Sequence, residues 1–116
     1  MRIKTHNLIE GQKGESKAVD YLKSIGYKIL ERNYKSLIGE IDIVALDNDR
    51  YVFVEVKTRT TGVKGLGREV VNAHKLRMIK NSALSYLKYN RIDNPKMRFD
   101  IVEITGDNIN HIQAVC

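Results

Sequence analysis

Three observations predict an α/β fold in which a small mixed sheet is flanked by helices. Two segments place apolar residues at helical spacing, and several short runs are rich in β-branched and aromatic residues. The second helical segment lies between the third and fourth strand segments, which predicts a crossover connection and a parallel strand pair. At 116 residues the chain is expected to form a single domain, residues 1–116.

The first helix is predicted from Gly11 to Ser24, and Gly26 follows it as a stop. Residues 1–10 are expected to form a flexible arm or a lead-in to this helix. Three strands come next, at Tyr27–Tyr34, Glu40–Asp47 and Tyr51–Thr58. Turn residues between the second and third strands predict an antiparallel hairpin.

A stretch with several glycines and basic residues, residues 59–69, is expected to be a mobile loop. The second helix is predicted from Val70 to Tyr89, where the apolar spacing is mostly helical. Two final strands, Met97–Thr105 and Ile109–Val115, are separated by a turn. The predicted order is therefore helix, three strands, helix and two strands.

Composition narrows the class of partner and the cellular setting. The formal net charge of +6 favours a polyanion, with nucleic acid ahead of an acidic membrane surface, although many basic proteins bind neither. No apolar run approaches the roughly 20 residues of a membrane span, and no secretory signal is expected at the start. The single cysteine, Cys116, excludes a disulfide within the chain and favours a reducing, cytoplasmic location.

Acidic residues interrupt two neighbouring apolar strands. Asp42 lies within GEIDIVA, and Glu55 and Lys57 lie on one face of YVFVEVK. Alternation predicts that Ile41, Ile43 and Ala45 share one face of their strand, with Asp42 on the other face. Because the hairpin is antiparallel, we expect Asp42 to lie opposite Glu55 within one or two residues of register. Charges inside apolar strands are costly unless they pair or coordinate an ion.

These residue types suit a divalent cation. Mg²⁺ or Mn²⁺ prefers oxygen ligands, which the carboxylates of Asp42 and Glu55 and the carbonyl of Val56 supply. Such a metal ion polarises a phosphate and lowers the pKa of a bound water, while Lys57 orients that water and stabilises developing charge. The alternative is an internal salt-bridge cluster on a solvated sheet face.

Asp42, followed on the next strand by Glu55, Val56 and Lys57, resembles the PD-(D/E)xK nuclease signature, with Ile41 in place of the proline. A wider set of motifs is similar to the YraN-like family, which is related in sequence to archaeal Holliday-junction resolvases. Those motifs are KGESKAVDYLKSIGYKILERNYK, GEIDIVALD, VFVEVKTR and RFDIVEI, and the similarity runs from about Gly11 to Ala114. The resemblance implies a restriction-endonuclease-like αβββαβ core.

The resemblance also assigns roles to individual positions. It implies that Asp42 and Glu55 bind the metal ion and that Lys57 is the catalytic lysine. Glu15 matches a helix carboxylate that approaches the metal site through water, although the helix dipole also favours a glutamate near a helix start. Arg59 matches a position for which we expect phosphate contact. The resolvase-like relatives imply a homodimer.

Three further basic residues are candidates for nucleic-acid binding. Lys64 and Arg68, in the loop after Arg59, are placed to hold phosphates beside the metal site, or belong to a plain connection. Lys75 on the second helix either lines a nucleic-acid groove or belongs to a solvated face. Asp100, which also interrupts an apolar strand, is expected to be structural, and an ion pair with Arg98 on the same strand looks awkward.

We therefore predict a Mg²⁺- or Mn²⁺-dependent endodeoxyribonuclease that hydrolyses DNA phosphodiester bonds without a membrane partner. A chain this small has little surface for direct base readout, so we expect selectivity for structure, in branched, flap or junction DNA. The alternatives are a non-catalytic nucleic-acid-binding module of the same fold and a scaffold in which the acids are structural.

Overall fold

The computed structural model describes residues 2–59 and 73–115, with side chains from residue 13 onward. Its elements, in chain order, are α1 (Arg2–Ser24), β1 (Lys28–Lys35), β2 (Glu40–Asp47), β3 (Arg50–Arg59), α2 (Ala73–Tyr89), β4 (Lys96–Thr105) and β5 (Asn108–Ile112). The strands form one sheet in the order β1-β2-β3-β4-β5. Only β3 and β4 are parallel among these pairs. The predicted α/β class, element order and parallel pair are confirmed.

The ends of several elements differ from the predictions. Helix α1 begins at Arg2 rather than at Gly11, so residues 2–10, predicted as an arm or a lead-in, are helical. This segment is rich in polar residues, and its apolar spacing was therefore too sparse to predict a helix. The predicted start of α2 at Val70 lies outside the described residues. Strand β5 ends at Ile112, short of the predicted Val115.

The sheet separates two apolar cores. The α1 side buries residues of α1 together with one face of β2, β3 and β4, as in Leu22, Val54 and Val102. The α2 side buries Phe53, whose ring stacks on Phe99 with centroids 5.5 Å apart. Strand β3 contributes to both cores and is therefore buried on both faces. Within the part of the chain that is described, no helix is long and apolar enough to span a membrane.

The alternation of β2 breaks at Ile41. Ile43 and Ala45 pack on the α1 side as predicted, but Ile41 packs with the α2-side core, so the prediction of one shared face was wrong. Ile41 pairs with Tyr34 of β1, which follows Asn33 at a φ of 53°. This left-handed residue interrupts the two-residue period of β1 and turns Tyr34, with Ile41 opposite it, towards α2.

A glycine brings α1 close to the end of β3. A Cβ added at Gly14 would overlap Thr58 Oγ1. A larger residue would therefore force either the Thr58 side chain or the helix to shift. This contact holds the middle of α1, with Glu15, beside the end of β3 that carries Lys57.

Candidate functional site

Asp42 lies where the antiparallel pairing of β2 and β3 ends. The last paired positions are Ile43 and Val54, so Asp42 and Glu55 come next on the two strands, as the hairpin predicts. The Val56 backbone N–H donates a hydrogen bond of 2.8 Å to Asp42 Oδ2. The carboxylate thus takes the place of a strand acceptor and is held facing β3.

Glu55 is the centre of a charged cluster. Lys57 Nζ lies 3.0 Å from Glu55 Oε2, and Lys75 Nζ of α2 lies 2.7 Å from the same oxygen. The side chains of Glu55 and Lys57 are each only 10% exposed, whereas that of Lys75 is 39% exposed. The glutamate is therefore shared between a buried ammonium group on its own strand and a more accessible one on the helix.

These residues line an open cleft of about 620 Å³ between the sheet and the first turns of α2. Strands β2 and β3 contribute Asp42, Glu55, Val56 and Lys57 to its wall, and α2 contributes Lys75. The volume lies within the range of small-molecule and substrate sites, roughly 300–1,000 Å³. The buried charges thus face a space that a ligand can enter.

The cleft disfavours the ionised form of Asp42. Its pKa is raised from 3.8 to about 7, first by burial and second by the neighbouring Glu55 carboxylate. The hydrogen bond from the Val56 N–H acts in the opposite direction and is outweighed. Glu15 and Glu40 add smaller contributions of the same sign as Glu55. Negative charge is therefore crowded around Asp42.

The two lysines respond in opposite ways to their surroundings. Burial lowers the pKa of Lys57, and Lys75 lowers it further, although Glu55 opposes both. Burial also acts to lower the pKa of Lys75, but the hydrogen bonds to Glu55 and Lys57 and the attraction of Glu55 and Asp42 together outweigh it, so the net shift is upward. The Lys57 ammonium group is the more buried of the two, so its charged form loses more hydration than that of Lys75.

The donor set fits a hard divalent cation. Mg²⁺ is usually bound by one or two carboxylates, with waters and substrate oxygens completing its shell, and Asp42, Glu55 and the Val56 carbonyl supply oxygen atoms. Burial and, second, the neighbouring Glu55 carboxylate raise the pKa of Asp42, and repulsion between two carboxylates is the kind of charge imbalance that a cation relieves. In residues 2–59 and 73–115, no group of three or more His, Cys, Asp or Glu side chains forms a metal site.

Glu15 of α1 is not among the residues that line the cleft, and its carboxylate has protein partners. Its Oε1 accepts a hydrogen bond of 2.9 Å from Asn33 Nδ2 and lies 3.3 Å from Arg32 Nη2. Its negative charge acts on Asp42 at a distance and contributes to the raised pKa of that residue. Its predicted approach to a metal ion through water stays a prediction.

The four basic residues that were predicted to bind nucleic acid lie in different parts of the chain. Arg59 is the half-buried last residue of β3. Lys64 and Arg68 lie outside the described residues. Lys75, predicted as a nucleic-acid contact, is bound to Glu55 within the cleft.

Two polar residues that line the cleft were missing from the predicted site. Glu40 begins β2, and His74 lies in the first turn of α2. The alternation of β2 already placed Glu40 on the face of Asp42, so its presence had a signal in the sequence. Nothing in the sequence indicated His74, because the position of α2 over the sheet is a tertiary feature.

A second polar cluster surrounds Asp100 on the α1 side of the sheet. Arg98 makes two hydrogen bonds to this carboxylate, from Nε at 2.9 Å and from Nη2 at 3.0 Å. His111 Nε2 lies 2.7 Å from Asp100 Oδ2, and the Ala114 N–H donates to Oδ1 at 3.1 Å. The expectation that an Arg98–Asp100 pair would be awkward was wrong, because the long arginine side chain reaches its neighbour on the same face.

Comparison with known proteins gives one family. The model of an uncharacterised protein family, UPF0102, matches residues 14–104, a range that contains the cleft residues of β2 and β3. The chain is 45% identical over 105 residues to a UPF0102 protein of Persephonella marina, with 90% of each chain covered. It is 49% identical over 109 residues to one from Alkaliphilus oremlandii, covering 89% of this chain and 93% of that relative. A UPF0102 protein of Geobacter metallireducens is 50% identical over 100 residues, covering 86% and 82%.

Proposed function

The chain belongs to the uncharacterised protein family UPF0102, the YraN-like family that its motifs predict, and we propose that it is a metal-dependent endonuclease. In this proposal it hydrolyses DNA phosphodiester bonds. The observation behind it is the convergence of Asp42, Glu55 and Lys57 on one wall of an open cleft. An acid pair next to a buried lysine is the arrangement expected for metal-assisted attack on a phosphate.

The order of elements supports the same proposal. The restriction-endonuclease-like core implied by the resemblance requires a helix, three antiparallel strands, a second helix and a parallel strand. The elements of this chain follow that order. In that core the acids belong to the second and third strands, which are β2 and β3 here. We therefore assign the fold to the restriction-endonuclease-like group as part of the proposal.

The residues of the cleft have separate roles in this mechanism. Asp42, Glu55 and the Val56 carbonyl would hold Mg²⁺ or Mn²⁺, which when bound polarises the phosphate and activates a water. Lys57 donates hydrogen bonds to the attacking water and to the phosphate oxygen on which charge develops. Its contact with Glu55 at 3.0 Å fixes the ammonium group on the cleft wall, so little reorganisation is needed. Lys75, more exposed, contacts phosphate at the rim.

The net charge of +6 supports a nucleic-acid partner, and we propose branched, flap or junction DNA as the substrate. Arg59, Lys64 and Arg68 contact the phosphate backbone in this proposal, and a homodimer places two clefts on two strands. The single cysteine supports a cytoplasmic setting. A non-catalytic binding module is the second candidate, and the occupation of Glu55 by two lysines is the observation that favours it.

Cleavage of labelled DNAs tests the proposal directly. Duplex, single-stranded, flap and four-way-junction DNA are each incubated with Mg²⁺ and with Mn²⁺. Lys57→Ala and Glu55→Gln are expected to cut at least about 100-fold more slowly than the wild type, because each removes stabilisation of the transition state. Lys96→Ala is the matched control, since this exposed lysine begins β4 at the opposite end of the parallel pair from Lys57.

Cutting that is lost in both cleft variants and kept in Lys96→Ala supports the nuclease. Cutting that survives in both cleft variants means that the activity belongs to another site. If no DNA is cut with either metal ion but binding persists, the binding module replaces the nuclease. Thermal unfolding with Mn²⁺ separates these cases further, because a bound ion stabilises the wild type and this shift should vanish in Asp42→Asn.

A further inference from the structure

The turn between β1 and β2 presents apolar side chains to solvent. Leu37 is 107% exposed and Ile38 is 49% exposed, which makes Leu37 the most exposed large apolar side chain among the described residues. An isolated exposed leucine is ordinary on a protein surface. Two adjacent exposed apolar residues can instead form a contact surface if the turn that carries them is rigid. The hydrogen bonds of the turn show whether it is.

The turn is tied down at its base. The Ser36 N–H donates to the Gly39 carbonyl at 2.8 Å, and Ser36 Oγ accepts hydrogen bonds of 3.1 Å from the N–H groups of Ile38 and Gly39. Ser36 Oγ also lies 3.0 Å from Ser82 Oγ of α2. The apolar tip is therefore held by its own backbone and anchored to a helix, so little conformational entropy is lost when it engages a partner.

The same turn borders the candidate cleft. A Cβ added at Gly39 would lie 3.2 Å from Ser82 Oγ and 3.4 Å from Met78 Cε, so the turn is packed tightly on α2. Met78 and Glu40, which follows Gly39, both line the cleft. Leu37 and Ile38 consequently project from the rim of the cleft that contains the acids and lysines.

We propose that Leu37 and Ile38 form an apolar wedge that packs against an unpaired or unstacked base of a nucleic acid whose phosphate lies in the cleft. Leucine and isoleucine are among the side chains that separate base steps in bound DNA. The exposed Lys35 at the base of the turn and the net charge of +6 complement the phosphates on either side of such a base.

This inference rests on the proposed function and sharpens its substrate class. Opening a base step in continuous duplex is costly because it breaks stacking and pairing, and the cost is least where a base is already unpaired. A rigid wedge therefore favours DNA with unpaired or frayed bases at a branch point over uninterrupted duplex. The other conceivable occupant of the tip is a second copy of the chain, which the experiment below distinguishes.

Binding in the absence of divalent ions tests the wedge without any cleavage. Full-length wild type and the double variant Leu37→Ser/Ile38→Ser are titrated, in EDTA, into flap DNA with 2-aminopurine at the branch and into a matched duplex. Leu84→Ser is the control, because Leu84 is an exposed apolar residue of α2 outside the turn and outside the cleft lining. Circular dichroism and thermal unfolding verify that all variants fold.

The wild type and Leu84→Ser are expected to increase 2-aminopurine fluorescence and to prefer the flap. The double variant should lose the fluorescence change and about tenfold of that preference, while its duplex affinity stays within about twofold of wild type. An unchanged preference and fluorescence response in the double variant would overturn the wedge. So would a double variant that turns from dimer to monomer in sedimentation while its preference for the flap persists, since the tip would then be a contact between copies.

The binding readout is independent of the nuclease. A fluorescence change that depends on the wedge, together with no cutting under any metal ion, leaves the wedge in place and removes the nuclease. If the double variant keeps its flap preference and still cuts DNA with a metal ion, the nuclease stands and the wedge is removed. A wild type that binds neither DNA overturns the wedge, whatever the fate of the metal site.

Discussion

Asp42 and Asp100 each interrupt an apolar strand of the same sheet, yet their surroundings are opposite. Asp100 is 1% exposed and receives hydrogen bonds from Arg98 and from the Ala114 N–H, with His111 at 2.7 Å. Asp42 receives the Val56 N–H and faces the Glu55 carboxylate. One carboxylate is compensated within the protein, and the other is crowded by like charge.

The difference separates a structural acid from a candidate functional one. The hydrogen bonds that Asp100 accepts raise the pKa of Arg98, and the hydrogen bond from the Ala114 N–H ties Asp100 of β4 to the chain after β5. At Asp42 the pKa is raised to about 7, and its cleft is open. A buried charge that is left uncompensated beside an open cleft is the one that a ligand can satisfy.

Removing Asp100 should have the largest effect on stability. Asp100→Ala leaves the Arg98 guanidinium half-buried without its bidentate partner, and we expect a loss of about 3–5 kcal/mol in the free energy of unfolding. Urea denaturation measures this. Asp47→Ala is the control, because Asp47 is more exposed and contacts Arg98 only through Nη1 at 3.2 Å. Asp47→Ala should lower the free energy of unfolding by no more than about 1 kcal/mol. An equally small loss for Asp100→Ala would mean that Asp100 is not the compensated, structural acid that sets it apart from Asp42.

A smaller effect, of opposite sign, is expected at Asp42. Between pH 4 and pH 7 the folded state retains a proton on Asp42 that the unfolded state, with a pKa near 3.8, has released. Metal-free stability should therefore fall as pH rises through this window. Asp42→Asn should remove that contribution and raise stability at pH 7 by about 1–3 kcal/mol.

Unfolding by urea at a series of pH values, with EDTA present, measures this slope. The matched control is Asp107→Asn, which changes a fully exposed aspartate in the same way. If Asp42→Asn is less stable than the wild type at pH 7, the Asp42 carboxylate is compensated like that of Asp100.

The smallest effect is expected at Lys75. Its ion pair with Glu55 is at 2.7 Å, but the side chain is 39% exposed, so Lys75→Ala should cost no more than about 1 kcal/mol of metal-free stability. Affinity for DNA should fall severalfold if this lysine contacts phosphate, as measured by fluorescence anisotropy. Lys88→Ala, at an exposed lysine in the last turn of α2, is the comparison. A stability loss as large as that of Asp100→Ala would mean that the cleft cluster is a structural network.

The strands and their pairing were predictable because alternation and turn chemistry are local. VFVEV could be buried on both faces only between two layers, and the hairpin then placed Asp42 beside Glu55. The first turns of α1 were missed because a polar segment has little apolar periodicity. The face of the sheet on which Ile41 packs was predicted wrongly because it depends on the left-handed Asn33 in the neighbouring strand.

The acids and the lysine of the candidate site were recognisable as residue types at a spacing, but their partners were not. Lys75 and His74 reach the cleft only because α2 packs across the sheet there. Arg98 and Asp100 looked like poor partners along the strand, and the contacts of Asp100 with His111 and Ala114 come from β5 and the chain beyond it.

By itself the sequence determined the α/β class, the order of the helices and strands and the family, because these follow from local periodicity and from motifs along the chain. Only the tertiary structure decided which of two similar aspartates is compensated. The pKa and the availability of a buried carboxylate depend on charges and hydrogen-bond donors from distant segments, and these come together only when the sheet and the helices pack.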